Sequence, residues 1–176
     1  MKLLSYLFFS FFVMGSMQLN AQHIVLDVPY VPTPQNVVYG MLELADVKKG
    51  EVVYDLGYGD GRIVITAAKK FGATGIGVDL NPERIKEANA NAVEANVEDK
   101  VKFYEGNLSD FDFSKADVLT LYLLPDVNLT LKPKIQEEMK PGSRVVSHAF
   151  SMGDWEPDQE ITVDGRTVYL WIIPDK

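Results

Sequence analysis

The sequence predicts an α/β fold: a mostly parallel sheet with helices on both faces and an antiparallel hairpin at its C-terminal edge. Two observations carry this reading. Short apolar, β-rich runs alternate with segments of helical length, the signature of parallel strands joined by crossover helices. The last two β-rich runs, Glu160 to Val163 and Thr167 to Ile173, instead flank Asp164-Gly165-Arg166, and an Asp-Gly turn between such runs signals a hairpin.

The elements follow in order. Thr33 is a natural N-cap and Pro34 fits the first helical position. Val37, Val38, Met41, Leu42 and Ala45 then recur at helical spacing until Lys48-Lys49-Gly50. Glu51 to Leu56 is the first strand. Arg62 to Phe71 is a helix that Gly72 stops. Thr74 to Asp79 is the second strand. Asn81 caps a helix that opens on Pro82 and runs to about Asn96. Val101 to Glu105 and Asp117 to Tyr122 are the third and fourth strands. Pro125 to about Met139 is helical, Pro141-Gly142 breaks it, and Ser143 to Phe150 is the fifth strand.

Composition sets the limits. The chain has 176 residues, 47% hydrophobic and 24% charged, which suits one globular domain. The formal net charge is -8. A surface this acidic repels nucleic-acid phosphate, so DNA and RNA are disfavoured as partners. It either steers a cationic partner, such as a lysine-bearing protein, or serves solubility alone. There are no cysteines, which excludes disulfides, thiolate nucleophiles and cysteine-type zinc sites. His23 and His148 share no H-E-x-x-H spacing, so no metal site is expected.

Residues 1–21 read as a signal peptide or N-terminal anchor. Lys2 precedes a mostly apolar run from Leu3 to Met14, and small residues follow up to Ala21. Cleavage after Ala21 predicts an exported protein, periplasmic or secreted. Left uncleaved, residues 3–19 would hold the domain at a membrane surface. Residues 22–34 form a proline-rich extended arm, and residues 35–176 form the folded domain.

The segment that carries chemistry is Asp55-Leu-Gly-Tyr-Gly-Asp-Gly-Arg62, which joins the first strand to the next helix. In open α/β sheets ligands bind beyond the carboxyl ends of the strands, at the switch in strand order. Gly57, Gly59 and Gly61 let the backbone turn sharply and approach a ligand. The helix start behind them offers free N–H groups to an anionic group. The spacing is G-x-G-x-G, not the G-x-G-x-x-G of dinucleotide folds. Asp55, two residues before the first glycine, would repel a pyrophosphate and suits a ligand with an ammonium group. S-adenosyl-L-methionine is such a ligand. Asp79 ends the second strand, 24 residues further on, where a carboxylate can accept both ribose hydroxyls.

Residues 51–150 resemble the class I S-adenosylmethionine-dependent methyltransferases, with their Rossmann-like sheet. Asp55 to Gly61 stands as the first motif and Asp79 as the second. Val28-Pro-Tyr-Val-Pro-Thr-Pro34, Asp55 to Arg62, Leu131-Lys-Pro-Lys134 and Pro141-Gly-x-Arg-Val-Val-Ser-His148 resemble, more narrowly, a small family of protein-lysine methyltransferases. That family has broad-specificity archaeal members and membrane-anchored mitochondrial ones. The resemblance implies lysine-bearing protein substrates. It implies that Gly57 and Gly59 line the methionine part of the cofactor, with Gly61 completing the loop. Asp55 would hold the ammonium, Asp79 the ribose, Leu80 one adenine face and Asn107 the adenine edge. Asn107 offers both a donor and an acceptor for that edge; apart from the resemblance it is a turn former. Tyr30 and Thr33 would belong to an arm lying over the pocket. Without the resemblance the arm is a leader in which Thr33 only caps a helix.

Tyr122, Leu124 and Pro125 follow the fourth strand, where methyl acceptors bind in this class. Asn-Pro-Pro-Tyr, the amide and nucleobase signature, is absent; an aromatic and apolar wall suits a lysine stem through cation–π contact, or is ordinary core. His148 reads as a hydrogen-bonded structural histidine or as a neighbour of the acceptor channel. Two other readings stay open: a small-molecule methyltransferase on the same fold, and an exported cofactor-binding protein without catalysis.

Overall fold

A computed structural model describes residues 31–175. The N-terminal segment 1–21, most of the arm and Tyr30 lie outside the described residues. α1 (Gln35–Leu44) is followed by β1 (Val52–Leu56), α2 (Arg62–Thr66), β2 (Thr74–Asp79), α3 (Pro82–Glu94), β3 (Val101–Glu105), β4 (Val118–Leu121), α4 (Pro125–Glu138), β5 (Arg144–His148), β6 (Gln159–Val163) and β7 (Arg166–Ile172). The seven strands form one sheet in the order β3-β2-β1-β4-β5-β7-β6. The first five are parallel, and β7 pairs antiparallel with both β5 and β6. The predicted hairpin is present, its turn made by Asp164 and Gly165 with φ of 51° and 76°. Two successive positive φ values match the right-handed twist of the flanking strands. Strand order reverses direction between β1 and β4, and that is where the site opens.

Side chains alternate across the sheet. Val53, Val118 and Val146 face one way and pack with Val37, Val38, Met41, Leu42 and Val64 of α1 and α2. Tyr54, Leu119 and Val145 face the other way and pack with Val127, Leu131 and Ile135 of α4. Each layer buries its own apolar stripe, as a two-sided α/β sheet requires.

Several boundaries depart from the sequence reading, among them the end of β5, which stops at His148 and not at Phe150. Thr33 does not cap α1: Pro34 occupies the cap with no side-chain hydrogen bond, and the helix starts at Gln35. The Thr33 hydroxyl is engaged with His148 instead. α1 also ends at Leu44, because Asp46 turns left-handed at φ 50°, well before Gly50. The segment 62–71 is α-helical only to Thr66 and continues as a π-helical turn over Ala67–Phe71, which Gly72 closes at φ 71°. Asn81 does cap α3, accepting from the Glu83 N–H at 2.9 Å with Pro82 behind it.

Gly77 shows how β2 accommodates the loop above it. A Cβ there would stand 2.6 Å from Tyr58 Cδ1 and 3.0 Å from Phe103 Cδ1. Tyr58 and Phe103 already pack with ring centroids 4.9 Å apart. Gly77→Ala is therefore expected to destabilise the fold by about 1–3 kcal/mol through overpacking. Urea denaturation checks this; an unchanged midpoint would show that the Tyr58 ring has room to move.

Among the described residues no helix is long and apolar enough to cross a membrane, and no cluster of three potential metal ligands occurs.

Candidate active site

A cavity of about 330 Å³ opens at the carboxyl ends of β1, β2 and β4. Its floor comes from the end of β1 and the loop beyond it, with Asp55, Gly57, Tyr58 and Asp60. One side carries Asp79, Leu80, Asn81 and Arg84, with Leu108 from the segment after β3. Tyr122 and Leu123 form the side after β4, and Val31, Pro32 and Thr33 form part of the wall from the arm.

The loop holds its shape through alternating glycines. Gly57, Gly59 and Gly61 have φ of 77°, 57° and 79°, a left-handed conformation that side chains with a Cβ rarely adopt. Only Gly57 of the three contributes to the cavity wall. Gly61 serves packing, since a Cβ there would meet Phe103 at 2.8 Å and Ala88 at 3.0 Å. Gly59 donates its N–H to Asp79 Oδ2 at 3.1 Å. Asp79 Oδ1 accepts from the Asn81 N–H at 2.9 Å. One carboxylate thus ties the glycine loop to the cap of α3. An ionised carboxylate accepts about four hydrogen bonds, so Asp79 keeps capacity for two more, the number a vicinal diol supplies.

Asp55 is buried, 2% exposed, at the end of β1. Its Oδ1 accepts from Thr120 Oγ1 at 2.8 Å. Burial pushes its carboxyl up to about 7, against the Thr120 bond and helped by the negative charges of Asp79 and Asp60. A carboxylate in that condition gains most from a cation placed beside it. Asp60 is engaged already, receiving both Nε and Nη2 of Arg62. Arg62 Nη1 donates to the Thr33 carbonyl at 2.9 Å, which fastens the arm to the glycine loop. The residues fit a nucleoside that carries an ammonium group: a buried acid that a cation would stabilise, an acid with acceptor capacity left, and a glycine on the cavity wall.

Asn107 is not part of the cavity wall; its side-chain oxygen accepts from the Ser109 N–H at 3.0 Å and shapes the turn, and Leu108 takes the place on the wall. Leu124 and Pro125 also stand off the wall. Leu124 is 43% exposed, and Leu123 faces the cavity in its stead. Tyr122 is on the wall, its ring packed 3.9 Å from that of buried His148. Sequence reasoning missed Tyr58, Asp60, Arg62, Arg84 and Leu108. Asp60 and Arg62 were visible inside the glycine motif, where an acid and an arginine two apart can pair across a turn.

The ANTKMT methyltransferase domain family matches residues 55–159. A protein-lysine N-methyltransferase of Saccharolobus islandicus (strain REY15A) is 50% identical over 154 residues, covering 85% of this chain and 96% of that one. The adenine nucleotide translocase lysine N-methyltransferase of Mus musculus is 33% identical over 132 residues, and the match spans 75% of this chain and 57% of the mouse protein. Among solved structures, an RNA methyltransferase from Salinibacter ruber in complex with S-adenosyl-L-homocysteine is 53% identical, with a TM-score of 0.81 over 83% of this chain and 95% of that one. The chain belongs to the ANTKMT methyltransferase domain family and is an S-adenosylmethionine-dependent methyltransferase.

Proposed function

We propose that the chain transfers the methyl group to lysine side chains of proteins. The observation that carries this is that Tyr122 lines the same cavity as the buried Asp55. An aromatic face stabilises a methylammonium as it forms, through cation–π attraction. The net charge of -8 favours approach by a lysine-bearing surface. The relative named protein-lysine N-methyltransferase, matched over 96% of its length, supports the same acceptor. The Salinibacter structure is named for RNA, but a polyanion approaching this surface meets repulsion.

S-adenosylmethionine supplies an electrophilic methyl on a sulfonium. In the proposed pose Asp55, ionised, faces its ammonium, Asp79 accepts from the ribose hydroxyls, and Leu80, 40% exposed, offers apolar surface to the adenine. The arm residues Val31 to Thr33 exclude water from one side. Lysine must arrive neutral, although its free pKa is about 10.4. A partly desolvated channel beside a sulfonium lowers that value. No carboxylate or imidazole outside the residues already engaged is needed as a base, and alignment of nitrogen, methyl and sulfur supplies most of the rate.

The test offers labelled cofactor to three pools: proteins, RNA and small metabolites. Label recovered on lysine Nζ of several proteins is the expected result. Label confined to RNA or to one metabolite overturns the acceptor, and tight cofactor binding with no transfer overturns catalysis. Residues 1–21 are proposed as an export or anchoring segment, for which fractionation and N-terminal sequencing of the cellular protein give the answer: a start at Gln22 in a soluble fraction supports cleavage, and an intact N-terminus in membranes supports anchoring.

A further inference from the structure

The end of β5 is built in a way that cofactor binding does not explain. His148 is buried, 1% exposed, on the last position of the strand. Ala149 behind it has φ 67°, a left-handed conformation that is costly for a residue with a Cβ. Its N–H donates to the Thr167 carbonyl at 2.8 Å, and the Phe150 N–H turns back to the His148 carbonyl at 2.9 Å. The chain reverses within two residues, and both flanking rings reach Tyr122. The His148 ring lies 3.9 Å from it, tilted by 31°, and the Phe150 ring 6.2 Å away at 16°. Strain of this kind persists where its surroundings over-determine it. Here it gives Tyr122 two ring neighbours.

The other edge of the imidazole faces the arm. His148 Nδ1 and Thr33 Oγ1 share a hydrogen bond of 3.2 Å, across 115 residues of sequence. Thr33 and Tyr122 both line the cavity. A single side chain therefore touches the arm on one edge and the aromatic wall on its face.

We propose that His148 is a positioning residue that locks the arm to the acceptor wall, through Thr33 on one side and Tyr122 on the other. This rests on reading Tyr122 as the acceptor wall. His148 acts through its two neighbours and takes no part in the bonds that change. Burial, with the charge of Arg166, lowers its pKa to about 4, so the ring is neutral near pH 7 and adds no charge to repel a cationic acceptor. The arm half of the lock bears on the cofactor, since Val31 and Pro32 line the same cavity as Asp55 and Asp79. The ring half bears on the acceptor.

Two variants separate the halves. His148→Phe keeps a ring against Tyr122 and loses the bond to Thr33. It is expected to weaken S-adenosylhomocysteine binding about tenfold, with kcat at saturating cofactor within about threefold of the parent. His148→Asn keeps a hydrogen-bonding group near Thr33 and loses the ring. It is expected to hold the cofactor within about twofold and to lose about tenfold in kcat/KM for a lysine-bearing protein. Thr33→Val should match His148→Phe, the double variant should lose no more than either, and Thr33→Ser should restore binding. Proportional loss of cofactor binding and turnover in both His148 variants, tracking their melting temperatures, overturns the proposal and leaves His148 as core. Additive losses in the double variant overturn the link to the arm. Should the parent transfer no methyl to protein lysine, the acceptor reading fails, while the cofactor-binding cycle still tells whether His148 holds the arm.

Discussion

Asp79→Ala is expected to weaken S-adenosylhomocysteine binding about 100-fold or more. In the proposed pose the carboxylate accepts two hydroxyl hydrogens, each a charge-assisted bond worth about 1.5–3 kcal/mol. The loss does not stop there. The same carboxylate receives the N–H groups of Gly59 and Asn81, so removing it frees the glycine loop and the start of α3 together. Asp79→Asn is the milder form of the same loss. Its one side-chain oxygen can accept from Gly59 or from Asn81 but not from both, and its amide presents donors where an N–H and the two hydroxyls also donate. Calorimetry should find the asparagine variant folded, less destabilised than the alanine variant, and binding weakened by at least about tenfold. Binding equal to the parent in both variants would remove the ribose from this position.

Much of this site was legible because its determinants are local. The glycine spacing, the acid two residues before it and the acid at the end of the next strand all sit within residues 55–79, and the structure places Asp55, Gly57 and Asp79 on one cavity. The sheet was legible for a similar reason: each strand is a short apolar run with a turn signal at its end, and the Asp164-Gly165 turn announces the hairpin. What failed was non-local or depended on one residue of rotation. Thr33 resembles a cap in sequence, yet its hydroxyl finds His148, which no periodicity could reveal. Leu123 and Leu124 are adjacent and chemically identical, and the direction in which the chain leaves β4 decides which faces the cavity. Asn107 shows the local turn-forming chemistry that its residue type offers apart from the resemblance, its side-chain oxygen accepting from the Ser109 N–H two residues on. The π-helical turn at Ala67–Phe71 follows from a shift of one residue in hydrogen-bond register, to which hydrophobic spacing is insensitive.

Asp55→Asn should move stability and binding in opposite directions. The parental carboxyl titrates at about 7 in the folded protein against an ordinary value of 3.8. Between those values the native state holds a proton that the unfolded state has released, so stability falls as pH rises from about 4 to 7 and levels off above 7. The effect amounts to a few kcal/mol, on the order of 1.4 per pH unit. Asparagine has no such titration and can still accept from Thr120, so the variant without cofactor should be more stable than the parent at pH 8 and lack that fall. Binding behaves the other way. A cationic ammonium favours the ionised carboxylate, so parental affinity should rise with pH through about 7 and then plateau, while below it the site must first release a proton. Asparagine offers no charge, and S-adenosylhomocysteine binding at pH 8 should fall about 100-fold. Melting curves and calorimetry from pH 5.5 to 8 read both effects. Affinity that is flat across this range in the parent, or retained in the variant, would mean that Asp55 faces something other than the ammonium. A variant destabilised at pH 8 would mean that its burial costs the fold nothing. The opposed signs are what a binding carboxylate implies: buried without its cation it weakens the native state, and that cost is returned when the cofactor arrives.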